Sequence, residues 1–509
     1  MILSKDLLNL HFNKIIMRYK LLFLMFFFPF TTFAQGIDNL WLMGYESWAG
    51  RPYGGVNMNF ISGVLDTSWV NRKMNFEETN GVICDTNGNF LFSSNGVWIA
   101  NAANDTMLNG SGLNPSSFTS QWANDTDGLT LIQANLIIPF SNNPNRYYLF
   151  HQTIDVNSTY TALYLYYSVI DVVKDSVTQK NVVLLSDSLL PEHLTACKHG
   201  NGRDWWLIAH HYGTNLYYKY LITPTGIQGP DTQSIGTNRD ISAGQCVFSP
   251  DGKYFAYYSK PHGDLDIFDF DRCTGDFTFK THVVINDSAA SAGAAFSPNS
   301  KVLYLSSYKY VYQFDMTAAN ITNSQTTVAV WDGLSSPDPT VFFLSQLAPD
   351  GKIYINTGNA TNIFHVINNP DSLGSACNFC QHCIHLPAYD AFTIANHPNY
   401  FLGALSGSQC DTLTVTNEEL GIKNEIKEFP NPCVSGGNIT FTYPPYAEAS
   451  VISIFNTDGK EVASYRLPQW SSIQKVKLPQ LASCIYIARF LQGGIGKNES
   501  VPNIKFIIE

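Results

Sequence analysis

Phe248–Ser259 reads FSPDGKYFAYYS, Phe296–Ser307 reads FSPNSKVLYLSS and Leu347–Thr357 reads LAPDGKIYINT. The three copies start 48 and 51 residues apart. Each joins an apolar residue, a turn, and a short strand rich in aromatic and aliphatic side chains. Ser249 suits the first position of a turn, Pro250 fixes φ at the second, and Gly252 takes a left-handed conformation that other residues resist. A turn followed by a left-handed residue closes a β-hairpin. Ser300 stands where Gly252 does, so the second hairpin is predicted to be slightly strained or differently closed.

Weaker relatives lie upstream: Asp85–Asn89 before Phe90–Phe92, Asn142–Asn145 before Tyr147–Phe150, and Asn201–Asp204 before Trp205–Ile208. With Gly88, Asn145, Gly202, Gly252, Ser300 and Gly351 taken as equivalent, the steps are 57, 57, 50, 48 and 51 residues. A period near 50, built of strands and turns with no amphipathic helix between, predicts a β-propeller of four-stranded blades. An ordinary β-sandwich would need six hairpins at near-constant spacing by coincidence. The spacing predicts seven blades over residues 35–410. The seventh is expected to be shared, strand material near 37–65 closing against 361–405, with Asn399–Leu405 as the closing strand that removes a free sheet edge.

Composition narrows the class. Charged residues are 14% of the chain and aromatic residues also 14%, against a usual quarter charged, which suits buried strands. The net charge of −11 comes without any basic run, so neither nucleic acid nor an anionic membrane surface is an expected partner. Arg18 and Lys20 precede a 13-residue apolar run, Leu21–Phe33, too short to span a bilayer. With Thr32 and Ala34 at the −3 and −1 positions, residues 1–34 read as a secretory signal cleaved between Ala34 and Gln35. Met17 is a second candidate start. No lipid anchor and no transmembrane segment are expected in the mature chain.

The FSPDGKYFAYY, FSPNSKVLYLS and LAPDGKIYI stretches resemble the WD40-like propeller repeat of periplasmic and secreted bacterial proteins. The larger order, from Asp85–Phe92 through Tyr147–Phe150 to Tyr312–Asp315, resembles large secreted proteins that pair a propeller with a secretion domain. The resemblance implies fold and export, and it carries no settled biochemical activity.

Residues 411–424 are polar and read as a linker. Residues 425–509 read as a small antiparallel, Ig-like β-sandwich, with strands near 438–443, 450–455, 462–467, 473–478, 485–490 and 504–508. The marks Pro430-Asn431-Pro432, the turn through Gly459-Lys460, Leu481–Tyr486 and a terminal strand from Lys505 resemble, in order, the type A C-terminal sorting domain of the type IX secretion system. The resemblance implies that the secretion machinery is a partner and that the protein reaches the medium or the outer cell surface through the periplasm. Cys484 stands where that family usually has Gly. A plain Ig-like binding domain is the alternative.

Candidate chemistry is sparse. Cys377, Cys380 and Cys383 form C-x2-C-x2-C beside His382 and His385, a pattern that can bind zinc or an iron–sulfur cluster. The exported compartment favours disulfides instead, with Cys410 as the expected partner of one of the three. Cys433 and Cys484 are predicted to pair within the tail. His210 and His211 are adjacent, so on a regular strand at most one serves any given site. Asp264 and Asp266 share a strand face, as paired carboxylates for acid–base work do. The alternating stretch Leu265–Phe270 predicts a half-exposed outer strand on which they are solvated. Asn124–Gly128 resembles part of a calcium loop but reads as a turn. No G-x-S-x-G, H-E-x-x-H or phosphate-cradling loop occurs, and no cofactor is expected.

Two functions follow. The first is a non-enzymatic propeller that binds an extracellular protein or glycan through blade loops, the Trp98–Asn124 region among them. The second is a secreted hydrolase or lyase with its site at the channel mouth, where convergent His, Asp, Glu or Arg side chains would mark it.

Overall fold

The computed structural model describes residues 36–122, 128–240, 243–287, 293–411, 426–443, 450–469, 471, 473–491 and 503–509. The predicted signal with Ala34 and Gln35, the Asn124–Asp127 turn and most of the predicted linker lie outside these residues.

Seven antiparallel blades follow one another along the chain, the second and third joined edge to edge into one eight-stranded sheet. Blade 1 has three strands, Leu40–Met43, Gly55–Asn59 and Asp66–Val70. Blades 2 to 7 have four each and begin at Gly81–Cys84, Asn135–Phe140, Thr195–Lys198, Cys246–Phe248, Gly293–Phe296 and Phe342–Leu347. Blades 2 and 3 also touch along their outer strands, where Leu108 pairs in parallel with Ser176. A four-stranded sheet cannot bury both faces alone, and here each is covered by its neighbours. One apolar cluster holds Phe92, Leu149 and Leu207 of blades 2, 3 and 4. Others join Trp206 to Phe255, Leu265 to Leu303, and Tyr304 to Ile355. Phe364 of blade 7, Trp41 of blade 1 and Val82 of blade 2 share the cluster that closes the ring.

The repeat turns all join a blade's first strand to its second. Gly88, Gly202, Gly252 and Gly351 have φ of 81°, 75°, 72° and 77°. Ser300 adopts the same left-handed conformation at φ 59°. Its N–H donates to the Ser297 carbonyl at 2.9 Å, as Gly252 N–H donates to Ser249 at 2.8 Å, so the strained branch of the expectation holds. Asn145 departs from the series. The chain turns earlier, between Phe140 and Asn143, which are paired in register, and Asn145 lies inside the strand Asn143–His151. A two-residue connection needs no third turn position.

These turns define a hairpin face of the ring, shared with the turns between third and fourth strands. The opposite, crossover face carries the second-to-third turns and the links between blades.

Closure differs from the expected shared seventh blade. Residues 342–390 build blade 7 entirely from Phe342–Leu347, Ile353–Thr357, Thr361–Ile367 and Phe379–Asp390. Blade 1 begins at second-strand position: Gly36 N–H donates to Thr86 and Ile37 accepts from Cys84 at the hairpin face, and the first strand runs away from there. Asn399–Leu405 is no strand. The whole stretch 391–405 is irregular and runs along the axis, taking the innermost place beside blade 1. Asn396 Nδ2 donates to the carbonyls of Asn135 (2.9 Å) and Leu194 (3.2 Å), and its Oδ1 accepts from Gln133 (3.2 Å). Tyr400 donates to Ile137 at 2.9 Å and Asn399 to Pro250 at 2.8 Å. These partners belong to different blades and to the links and turns beside them. A regular ladder to one strand cannot satisfy them, so side chains do.

The tail is two sheets around one core of Ile439, Phe441, Ile452, Tyr486, Phe490 and Phe506. The strand Lys427–Phe429 joins Asn438–Thr442 and Ile473–Lys477. The second sheet runs in the order Glu461–Leu467, Ser450–Phe455, Cys484–Leu491, Asn503–Ile508. None of the apolar clusters found contains residues of both ring and tail.

Candidate functional site: a tryptophan-walled groove, with a filled axis and a capped tail

The axial channel is occupied by the chain itself. What remains is a cavity of about 100 Å³ among Ala196, Val247, Ala295, Leu347 and the axial segment. Lys198 lies beside it, buried, its Nζ 3.2 Å from the Gly202 carbonyl and 5.3 Å from the Trp205 ring centre. Burial pushes its ammonium down to about 7.

A larger hollow, about 930 Å³, opens on the crossover face between blades 1 and 2. Trp48 comes from the turn after the first strand of blade 1 and is 78% exposed. Trp98 opens the third strand of blade 2 and is half-buried. Between them lie Asn71, Asn75 and, from the link after blade 2, Ser116, Thr119 and Ser120. An exposed indole offers a flat apolar face, and hydroxyl and amide groups around it supply donors and acceptors. This is the composition of a site for a ligand that is polar at its edges and apolar on its faces. Within the Trp98–Asn124 region, the structure places Trp98, Thr106, Ser116, Thr119 and Ser120 among the residues on this groove. Trp48 and the 71–75 link were missed, because their nearness to Trp98 comes from blade packing.

The groove has a positive floor. Arg72 is 5% exposed, and its guanidinium donates to the Met43 carbonyl, to Val56 O at 3.3 Å and to Asn57 Oδ1 at 3.0 Å. Among the described residues no carboxylate pairs with it, and its Nε has no hydrogen-bond partner. Burial lowers it to about 9, still charged at neutral pH.

Between blades 4 and 5 the acids behave differently from expectation. Leu265–Phe270 belongs to the third strand of blade 5, buried along almost its whole length, so Asp264 and Asp266 are not solvated. Arg239, fully buried, bridges both carboxylates, with Nη2 2.9 Å from Asp266. His282 Nδ1 lies 2.7 Å from Asp266. The guanidinium holds the Asp266 carboxyl below its usual range against the opposing effect of burial. One guanidinium shared by two carboxylates of the next blade tethers the two sheets. His210 is buried against Tyr217 while His211 is partly exposed near Asp187.

The cysteines pair otherwise than predicted. Cys410 is bonded to Cys273 of blade 5, and Cys380 to Cys383. Cys377 is free and packed in the core between blades 6 and 7. Ring closure brings Cys273 and Cys410 together on the hairpin face across 137 residues of sequence. Cys433 and Cys484 are both free. Each pairs with Ile508 from opposite sides, and two strand spacings set them about 10 Å apart, beyond the roughly 7 Å a disulfide spans.

The tail marks converge on the terminal strand. Asn431 Oδ1 accepts from Ile507 N–H at 2.9 Å and its Nδ2 reaches the Lys505 carbonyl at 3.4 Å. The amide side chain thus stands in for a neighbouring strand, and Pro430 and Pro432 flank it with no N–H to offer. Tyr486 stacks on Phe506 and donates to Ala482 at 3.0 Å. Gly459, at φ 75°, turns the chain ahead of Lys460.

Residues 427–508 match the family model described as the secretion system C-terminal sorting domain. No curated protein matches the chain. Among solved structures it is similar to a putative 6-phosphogluconolactonase from Bacteroides fragilis, at 13% identity and TM-score 0.40, over 70% of this chain and 97% of that one. It is similar to the periplasmic gluconolactonase of Pseudomonas aeruginosa, at 11% and 0.40, over 69% and 97%. A third is PorZ, an essential surface component of the type-IX secretion system of Porphyromonas gingivalis, at 11% and 0.29, over 89% and 73%. The sorting domain makes this a protein addressed to the medium or the outer cell surface. No helix among the described residues is long and apolar enough to cross a membrane.

Proposed function

We propose that this exported propeller is a non-enzymatic binding module, and that the groove between blades 1 and 2 holds an extracellular glycan. The observation that carries the reading is the exposed Trp48 facing a hollow of about 930 Å³ edged by Trp98 and by hydroxyl and amide groups. That volume lies in the range of small-ligand sites, whereas the axis, where propeller enzymes gather residues from several blades, is filled by 391–405. A sugar ring stacks its C–H face on an indole and hydrogen-bonds around its edge. A protein ligand is the neighbouring possibility and uses the same indole as an anchor.

A hydrolase or lyase has one observation in its favour, the Asp266–His282 pair with His282 one-third exposed. That pair lies between blades 4 and 5 and serves Arg239 as well. The test is a glycan array probed with the full mature chain and with Trp48→Ala. We expect a defined set of glycans to bind the first and not the second. Binding unchanged in Trp48→Ala, or turnover of a bound glycan that Asp266→Asn abolishes, would replace this reading.

A further inference from the structure

We infer that the ligand of this groove is an anionic glycan, one bearing carboxylate or sulfate-ester groups. The inference rests on the groove being the binding site and adds the charge of what it holds.

Charge complementarity carries it. The whole chain has net charge −11, yet among the described residues no Asp or Glu lines this hollow, and both described charged residues that do, Arg72 and Lys73, are cations. Lys73 is exposed and meets the Asp105 carboxylate outside the hollow. Among the described residues Arg72 is the uncompensated charge. Three backbone or amide oxygens hold it in place, and none of them neutralises it. A buried cation is poorly screened by solvent ions, so its field reaches the cleft, where low-dielectric walls concentrate it. The backbone makes room for this charge. A Cβ on Gly55 would lie 2.8 Å from Arg72 Nε and 2.9 Å from its Cζ. By contrast, the buried Arg239 faces two carboxylates and has no charge left over.

The division of labour is then clear. Trp48 and Trp98 take sugar faces, which are alike in neutral and acidic glycans. Arg72 discriminates by charge from beneath, and Lys73 exchanges Asp105 for the ligand at the rim.

Matched polymers test this by titration calorimetry on the full mature chain. One pair is dextran and dextran sulfate, and the other is polygalacturonate and its methyl ester. We expect the charged member of at least one pair to bind about tenfold or more tighter than its neutral partner. That advantage should shrink as NaCl rises and vanish in Trp48→Ala. The pair that discriminates tells sulfate from carboxylate. Arg72→Gln should remove the charge preference while leaving the weak binding of the neutral polymer. If that variant does not fold, Gly55→Ala, which displaces the guanidinium, takes its place with the same expected result. Equal affinity for neutral and charged polymers, or a charge preference indifferent to salt, overturns the anionic inference and leaves the groove reading intact. Charged-polymer binding that persists in Trp48→Ala overturns both, as does the failure of the folded protein to bind any of the four.

Discussion

At the scale of single residues, four buried histidines set a testable pH response. His151, His193, His210 and His365 are each held near 3 by burial, against about 6.5 in the unfolded chain. Between those values the unfolded state binds more protons. Each therefore contributes stability that is complete above about pH 6.5 and declines as pH falls toward 3. Partly buried acids such as Asp38, raised to about 7 by desolvation, and Glu78, raised to about 8, act in the opposite sense, so the net profile is a poor readout. A difference measurement isolates one group. His151 is hydrogen-bonded on both sides, at 2.7 Å to Asn114 and 2.9 Å to Ser168. We expect His151→Gln to be less stable than the parent at pH 7.5, and the gap to narrow steadily toward pH 4.5 in urea titrations. A gap independent of pH would show that His151 is not neutral and buried. None of this was legible in the chain, where a lone histidine on a strand carries no mark of its depth. Asp264 and Asp266 misled for the same reason. An acid–apolar alternation looks like a solvated strand until Arg239, 25 residues away from Asp264 in sequence, is seen to lie between them.

At the scale of elements, what could be read was what is local. Turn chemistry in FSPDGK, FSPNSK and LAPDGK specifies a hairpin without help from the rest of the fold, and its recurrence specified the blades. The tail strands were readable because each alternates and is bounded by turn residues. The axial segment was not, because 391–405 has no period. It is held by Asn396, Asn399 and Tyr400 reaching to several blades, and a sequence does not announce such partners. The same holds for Cys273–Cys410, which only ring closure brings together. Two glycines with nearly the same backbone separate a turn's own demand from its neighbour's. Gly202 and Gly459 both have φ 75°. A Cβ at Gly202 would lie 2.4 Å from the Ala404 nitrogen on the axial segment, whereas at Gly459 nothing lies within 4 Å. We expect Gly459→Ala to cost about 1–2 kcal/mol, the left-handed penalty alone. Gly202→Ala should cost clearly more and should also speed hydrogen exchange across 396–405. Equal costs, with no change in exchange, would mean the segment is not packed against that turn.

At the scale of the whole molecule, ring and tail have separate apolar cores, and the division of labour predicted from the sequence becomes an experiment. Removing 425–509 should leave the ring folded and end its appearance outside the cell. Fusing 411–509 to a signal-bearing reporter should carry the reporter out. Fractionation in a host with the type IX machinery, and in a mutant lacking it, reads both; surface delivery of the truncated chain would show that the tail is no address. How the chain passes through the ring adds a consequence for such a host. It enters at Gly36, packed against Gly88, and leaves at Cys410, bonded to Cys273. Both points lie on the hairpin face, where the tail hydroxyl of Thr440 also reaches the Ser62 carbonyl at 3.2 Å. The tryptophans open on the other side. On the proposed binding reading, a molecule moored through its tail would keep its back to the cell and its tryptophan side to the medium, so a long polymer would cross Trp48 without meeting the mooring.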